Sequence, residues 1–145
     1  MLVPAQKAIL RVLDANLNRA REGLRVCEEA ARMVLEDLRL TRRCQRVRYD
    51  LDACTRGLAR ELLLPSRDSV QDVGRPARRG PVRPHAGVRD LVLANLHRVQ
   101  EALRVLEEFA RLGMPSLAQP LGSLRFRAYT LEKEFHSRLS SLRHP

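Results

Sequence analysis

Aromatic side chains are scarce in this chain: two Tyr, three Phe and no Trp among 145 residues. Stacking platforms for single-stranded nucleic acid are correspondingly few. Lysine is nearly missing as well, occurring only at Lys7 and Lys133. No apolar run approaches the roughly 18 residues of a membrane span, and the N-terminus shows no basic segment followed by an apolar secretion core. The three cysteines, Cys27, Cys44 and Cys54, are odd in number and lack metal-type spacing. Each falls on an apolar helical position, which predicts small buried hydrophobes in a reducing cytoplasm rather than reactive thiols. Neither a Gly-x-x-x-x-Gly-Lys phosphate loop nor a Gly-x-Gly-x-x-Gly turn occurs. The absence of a Glu-x-x-His pair argues against a di-iron bundle.

What is abundant is arginine. It gives the chain a formal net charge of +10, and that field favours anionic partners. The guanidinium fork grips carboxylate and phosphate in a bidentate manner, so it suits a small phosphorylated ligand as well as a nucleic acid. With so few aromatics, nucleic acid is the less expected partner.

The chain also repeats itself. Residues 15–32 read ANLNRAREGLRVCEEAAR and residues 94–111 read ANLHRVQEALRVLEEFAR, with twelve of eighteen positions identical at an offset of 79. Seven of the identities are polar: Asn16/Asn95, Arg19/Arg98, Glu22/Glu101, Arg25/Arg104, Glu28/Glu107, Glu29/Glu108 and Arg32/Arg111. A duplicated helix needs to keep only its core residues, so repeated Asn, Arg and Glu point to specific partners.

Four segments carry the apolar spacing of bundle helices. The first steps through Leu13, Leu17, Ala20, Leu24, Cys27, Ala31, Val34 and Leu38. The second runs Cys44, Val47, Leu51, Cys54, Leu58 and Leu62 until Pro65 stops it. The third, Val92 to Ala110, leaves through Gly113 and Pro115. The fourth runs Leu121, Leu124, Ala128, Leu131 and Phe135 towards Leu142. Short links pair the first helix with the second and the third with the fourth as αα-hairpins. Val47-Arg48-Tyr49 also weakly matches Leu124-Arg125-Phe126. The expectation is an all-α single domain over residues 1–145, a bundle of two related hairpins (about 5–64 and 91–143) with approximate twofold symmetry.

Between them, residues 65–90 hold four prolines and three glycines, and from Arg75 to Arg89 five arginines without an acid. A long irregular connection of this kind is usually functional or disordered. Asp68 and Asp72 immediately precede the arginines, as a metal-bound phosphate site would require. The plainer reading is a solvated basic linker with an Asp-x-Gly turn at Asp72–Gly74.

On a helical wheel, Asn16 and Arg19, like Asn95 and Arg98, lie on a stripe beside the apolar seam. Glu22, Arg25, Glu29 and Arg32 lie further round, at the spacing of surface ion pairs. A solvated face fits the outer members. For the Asn-x-x-Arg-x-x-Glu ladders, a ligand role and a structural role both remain open.

The two helix phrases, in order and flanking RDSVQDVG, resemble the all-helical hydroxymethylpyrimidine-phosphate kinase family of thiamine biosynthesis, often fused ahead of thiamine-phosphate synthase. The resemblance extends from about Ala8 to Phe135. It implies an ATP-dependent phosphorylation of hydroxymethylpyrimidine phosphate to the diphosphate, with a separate synthase supplied in the cell. It further implies Mg²⁺ at Asp68 and Asp72, aided by Glu22 or Glu101. Arg19, Arg98, Arg67 and Arg75 would clamp phosphates, and Asn16 and Asn95 would meet the aminopyrimidine edge. Gly74 belongs to the same phosphate-binding loop. Whether the site lies within one chain or between the copies of a homodimer stays open. So do two rival readings, a nucleic-acid-binding helical protein and a non-catalytic module that binds a phosphorylated ligand.

Overall fold

The computed structural model describes residues 3–74 and 80–142. All regular elements among these are helical: α1 (Pro4–Glu29), α2 (Leu38–Cys54), the short α3 (Arg60–Leu63), α4 (Val88–Ala110) and α5 (Ala118–Ser140). Pro4 occupies the first position of α1, where its missing N–H costs nothing, and Gln6 Oε1 accepts from the Val3 N–H at 3.0 Å. α2 opens on Asp37, whose Oδ1 accepts from the Leu40 N–H at 3.0 Å, a regular N-cap.

Two expected boundaries move. The apolar spacing of the first helix runs on through Val34 to Leu38, but α1 widens into a π turn over Ala30–Val34 and then stops. Glu36 adopts the left-handed conformation (φ 49°), and the Asp37 N–H reaches back to the Ala31 carbonyl at 2.9 Å. Val34 and Leu38 are consequently exposed. The second helix ends at Cys54 rather than reaching Leu62. The Thr55 hydroxyl bonds back to the Leu51 carbonyl at 2.7 Å, and the chain turns through Gly57 before α3. That turn buries Leu63 and leaves Leu62 at the surface.

Ion pairs fix the directions of the long helices. Arg21–Asp52 and Arg48–Glu28 make α1 and α2 antiparallel. Arg125–Glu107 and the bond from Gln100 to Glu132 do the same for α4 and α5. Gly23 of α1 lies against Asn95 and Val99 of α4, whereas Asn16 and Arg19 face residues 98–105, so α1 and α4 are antiparallel too. Arg127–Asp50 and Arg43–Glu134 close the square between α5 and α2. The end of α2 and the start of α4 therefore lie towards opposite ends of the bundle. One apolar core fills the centre, with Leu13, Leu17, Leu24, Leu51, Leu96, Leu103, Leu106 and Phe135 essentially out of water.

Cys27 and Cys44 belong to that core. Burial, with the neighbouring Cys44, pushes the Cys27 thiol far up. Burial, assisted by Glu28, pushes Cys44 up to about 12. Half-buried Cys54 is raised as well, chiefly by desolvation. Thiolate is the reactive species, so Ellman's reagent at pH 8 should titrate at most one thiol in native protein and three in denaturant. Rapid native labelling of all three would contradict this packing.

At the α4–α5 interface, burial disfavours the Glu132 carboxylate, but bonds from Gln100 (3.0 Å) and His97 (2.8 Å), and the charges of His97 and His136, outweigh it. Its folded-state pKa is lowered from 4.5. A depressed carboxylate pKa contributes stability that is present above the unfolded value and lost as pH falls through the folded one. Glu132→Gln should therefore flatten the decline in melting temperature below about pH 4.5, checked by thermal unfolding from pH 3 to 7.

Candidate functional site

The repeated polar residues separate into two groups. Glu28 is almost fully buried, and one of its oxygens accepts from both Nε (3.2 Å) and Nη2 (2.9 Å) of Arg48. Its other oxygen takes Arg25 at 3.2 Å, and Arg25 also reaches Glu29 at 3.5 Å. The second copy builds the same device: Arg125 donates to Glu107 at 3.0 Å, while Arg104 pairs with Glu107 and, at 3.1 Å, with Glu108. Glu28–Arg48 and Glu107–Arg125 thus tie each hairpin together, with Arg25, Glu29 and their copies pairing beside them along one helix. Their repetition is architectural.

The second group lines cavities. A groove of about 520 Å³ lies where α1 crosses α4, bordered by Asn16, Arg19, Arg98, Glu101, Ala102 and Val105. Both ladders thus meet in one place, the first contributing Asn16 and Arg19, the second Arg98 and Glu101. Arg19 and Arg98 are exposed, and among the described residues neither forms an ion pair. Asn16 is buried and committed: its amide donates to the Val12 carbonyl at 2.9 Å, and its Oδ1 accepts from Arg19 at 3.4 Å. It holds Arg19 rather than offering an open edge to a ligand. Asn95 similarly donates to Leu91 at 2.8 Å and does not border this groove.

A second cavity, of about 680 Å³, lies between α1 and residues 67–74 and shares Arg19 with the first. Glu22, Arg67, Asp68, Asp72 and Gly74 border it, together with Arg11 and Asp14, which sequence reasoning missed. Buried Asp14 receives both arms of the Arg67 guanidinium, at 2.8 and 2.9 Å. That carboxylate raises the Arg67 pKa. Arg11 donates to the Asp68 carbonyl at 2.9 Å and approaches Asp72 at 3.8 Å. Arg67 is therefore the strap that fastens the start of the long connection onto α1. Neither Arg11 nor Asp14 could emerge from the repeat, because their counterparts are Asp90 and Leu93.

Asp68 and Asp72 each give one oxygen to their own backbone, to the Gln71 N–H at 2.9 Å and the Gly74 N–H at 2.7 Å. The latter is the Asp-x-Gly turn of the plainer reading. No group of three or more His, Cys, Asp or Glu side chains suited to a metal occurs among the described residues. The Arg11 and Arg67 guanidinia also border the place where a cation would sit. This donor set does not by itself hold Mg²⁺. Arg75 lies outside the described residues. Among those described, no helix is long and apolar enough to cross a membrane.

An all-α bundle with two arginine-lined cavities along its first helix is the class of protein defined so far. The chain belongs to the ThiD2 family, whose model matches residues 11–134. It is 44% identical over 125 residues to a thiamine-phosphate synthase of Synechocystis, covering 86% of this chain and 35% of that protein. It is 38% identical over 136 residues to one of Rhodopirellula baltica (94% and 36%) and 42% identical over 136 residues to one of Gloeobacter violaceus (91% and 38%). The chain spans little more than a third of the length of these curated relatives. No solved structure matches it. These relatives place the family in thiamine biosynthesis. They also correct the expected activity: proteins covering most of this chain at 38–44% identity are named thiamine-phosphate synthase, not hydroxymethylpyrimidine-phosphate kinase. That finding overturns the expected ATP-dependent kinase and, with it, ATP as the co-substrate.

Proposed function

We propose that this chain is a ligand-binding helical module of thiamine-phosphate synthesis, holding a phosphorylated hydroxymethylpyrimidine in the α1–α4 groove for a synthase to use. The observation that carries this reading is the convergence of Arg19 and Arg98 in one groove without carboxylate partners among the described residues. Two free guanidinium forks are suited to a phosphate dianion. Glu101 can accept from an exocyclic amino group, and Ala102 and Val105 offer an apolar wall to a flat ring. The relatives' name supplies the chemical context, since thiamine phosphate contains such a pyrimidine.

Calorimetric titration with hydroxymethylpyrimidine phosphate and with the free alcohol tests the reading. The phosphate should bind at least tenfold more tightly, and Arg19→Ala and Arg98→Ala should each weaken it by about tenfold, or 1.4 kcal/mol. Equal binding of the two ligands, or indifference to both substitutions, would refute it. A steep salt dependence with duplex DNA, unaffected by Arg98→Ala, would instead favour the nucleic-acid reading.

A further inference from the structure

On the opposite side of the bundle, α2 and α5 enclose a third cavity, of about 320 Å³, that shares no residue with the two described above. Arg43 and Arg46 of α2 and Arg127 and Thr130 of α5 form its walls, and Val47 and Leu131 form its floor. Arg43 is held by Glu134, and Arg127 donates to Asp50 at 2.8 Å. These two pairs fix the guanidinia in place while largely cancelling their charge. Arg46 is exposed and forms no ion pair among the described residues. The Thr130 hydroxyl makes only a long 3.3 Å bond to the Phe126 carbonyl, so rotation frees it to donate elsewhere.

We propose that this cavity is a second anion site, taking the phosphate monoester of a small organic molecule. The phosphoryl group lies against Arg46 and Thr130, with the Asp50-paired Arg127 beside it, and the organic part covers Val47 and Leu131. A monoester matches the cavity better than a bare ion, because cations line its walls and buried aliphatic carbons its floor. A volume of about 320 Å³ is at the small end for ligand pockets, which selects a compact molecule.

This proposal stands apart from the reading of the α1–α4 groove, and its test separates the two. Phenyl phosphate, inorganic phosphate and benzyl alcohol would be titrated into the ¹⁵N-labelled full chain. Phenyl phosphate should shift amides of α2 and α5 around residues 43–47 and 127–131 and bind there at least threefold more tightly than inorganic phosphate. Benzyl alcohol should leave these amides still. Arg46→Gln removes an exposed, unpaired side chain and should weaken phenyl phosphate at least fivefold at these amides. Thr130→Val should weaken it about threefold, and Arg19→Ala should leave it unchanged. Shifts confined to α1 and α4, or an α2–α5 response indifferent to both Arg46→Gln and Thr130→Val, would overturn the site. Failure of hydroxymethylpyrimidine phosphate to bind through Arg19 would refute the earlier reading and leave this one intact.

Discussion

Glu28→Ala should lower the unfolding free energy by about 3 kcal/mol, the typical cost of stranding one member of a buried ion pair. The carboxylate is 2% exposed and satisfies guanidinia from two elements, Arg25 of its own helix and Arg48 of α2. Burial disfavours the Arg48 charge, but the bond and charge of Glu28 outweigh it and raise its pKa above the ordinary value. With Glu28 gone, Arg48 keeps its contact with Tyr49, whose ring centre lies 4.9 Å away. Urea unfolding at pH 7 measures the effect. The double variant Glu28→Met/Arg48→Met should recover most of the loss, because apolar pairs of similar volume often replace buried ion pairs at no cost. Glu107→Ala should cost less, about 1–2 kcal/mol, because the Glu107 side chain is 17% exposed against 3% for Glu28.

The second large effect is steric. A Cβ on Gly23 would stand 2.7 Å from Val99 Cγ2 and 3.0 Å from the Asn95 carbonyl oxygen. The valine methyl can swing away, but the carbonyl belongs to the backbone of α4. Gly23→Leu should therefore push α1 and α4 apart and cost about 3 kcal/mol or more, the upper range for overpacking. Gly23→Ala meets the same Cβ contacts but adds no atoms beyond them, and its better helix propensity offsets about 1 kcal/mol, so it should cost less than leucine. Thermal unfolding ranks the three proteins, and a leucine variant as stable as the parent would refute the close crossing. The same separation would widen the groove between Arg19 and Arg98 and weaken the proposed ligand in step.

The parts of this fold that were readable share a physical property: an unbroken 3.6-residue pattern. α4 and α5 keep theirs through most of their length: the expected residues up to Phe135 are all buried, joined by Gln100, Ala102 and Gly122, whereas Leu142 is exposed. The first helix misled because Val34 and Leu38 keep the spacing across a break. A π turn and a left-handed Glu36 change the direction of the chain without altering the apolar pattern. Similarly, Leu62 and Leu63 differ by one position, and only the turn after Thr55 decides which is buried.

For the candidate site, the repeat indicated which polar residues have partners but not what those partners are. Glu28 stands at ion-pair spacing from Arg25 and Arg32, and Glu107 from Arg104 and Arg111, a pattern that a surface ladder would share. Their decisive partners, Arg48 and Arg125, lie 20 and 18 residues away in sequence. The faint match of Val47-Arg48-Tyr49 to Leu124-Arg125-Phe126 was the signal that could have identified them. Asp14 and Arg11 left no such trace, since nothing in the second copy repeats them.

Arg19 borders both cavities along α1, one facing α4 and the other facing residues 67–74. A single guanidinium cannot serve two phosphates at full strength. An anion that draws it into one cavity lowers the positive potential of the other, and reciprocity requires each occupant to weaken its neighbour by the same factor. Were both cavities to hold anions, they would act as an antagonistic pair in which neutral ligands coexist and like-charged ones compete without touching.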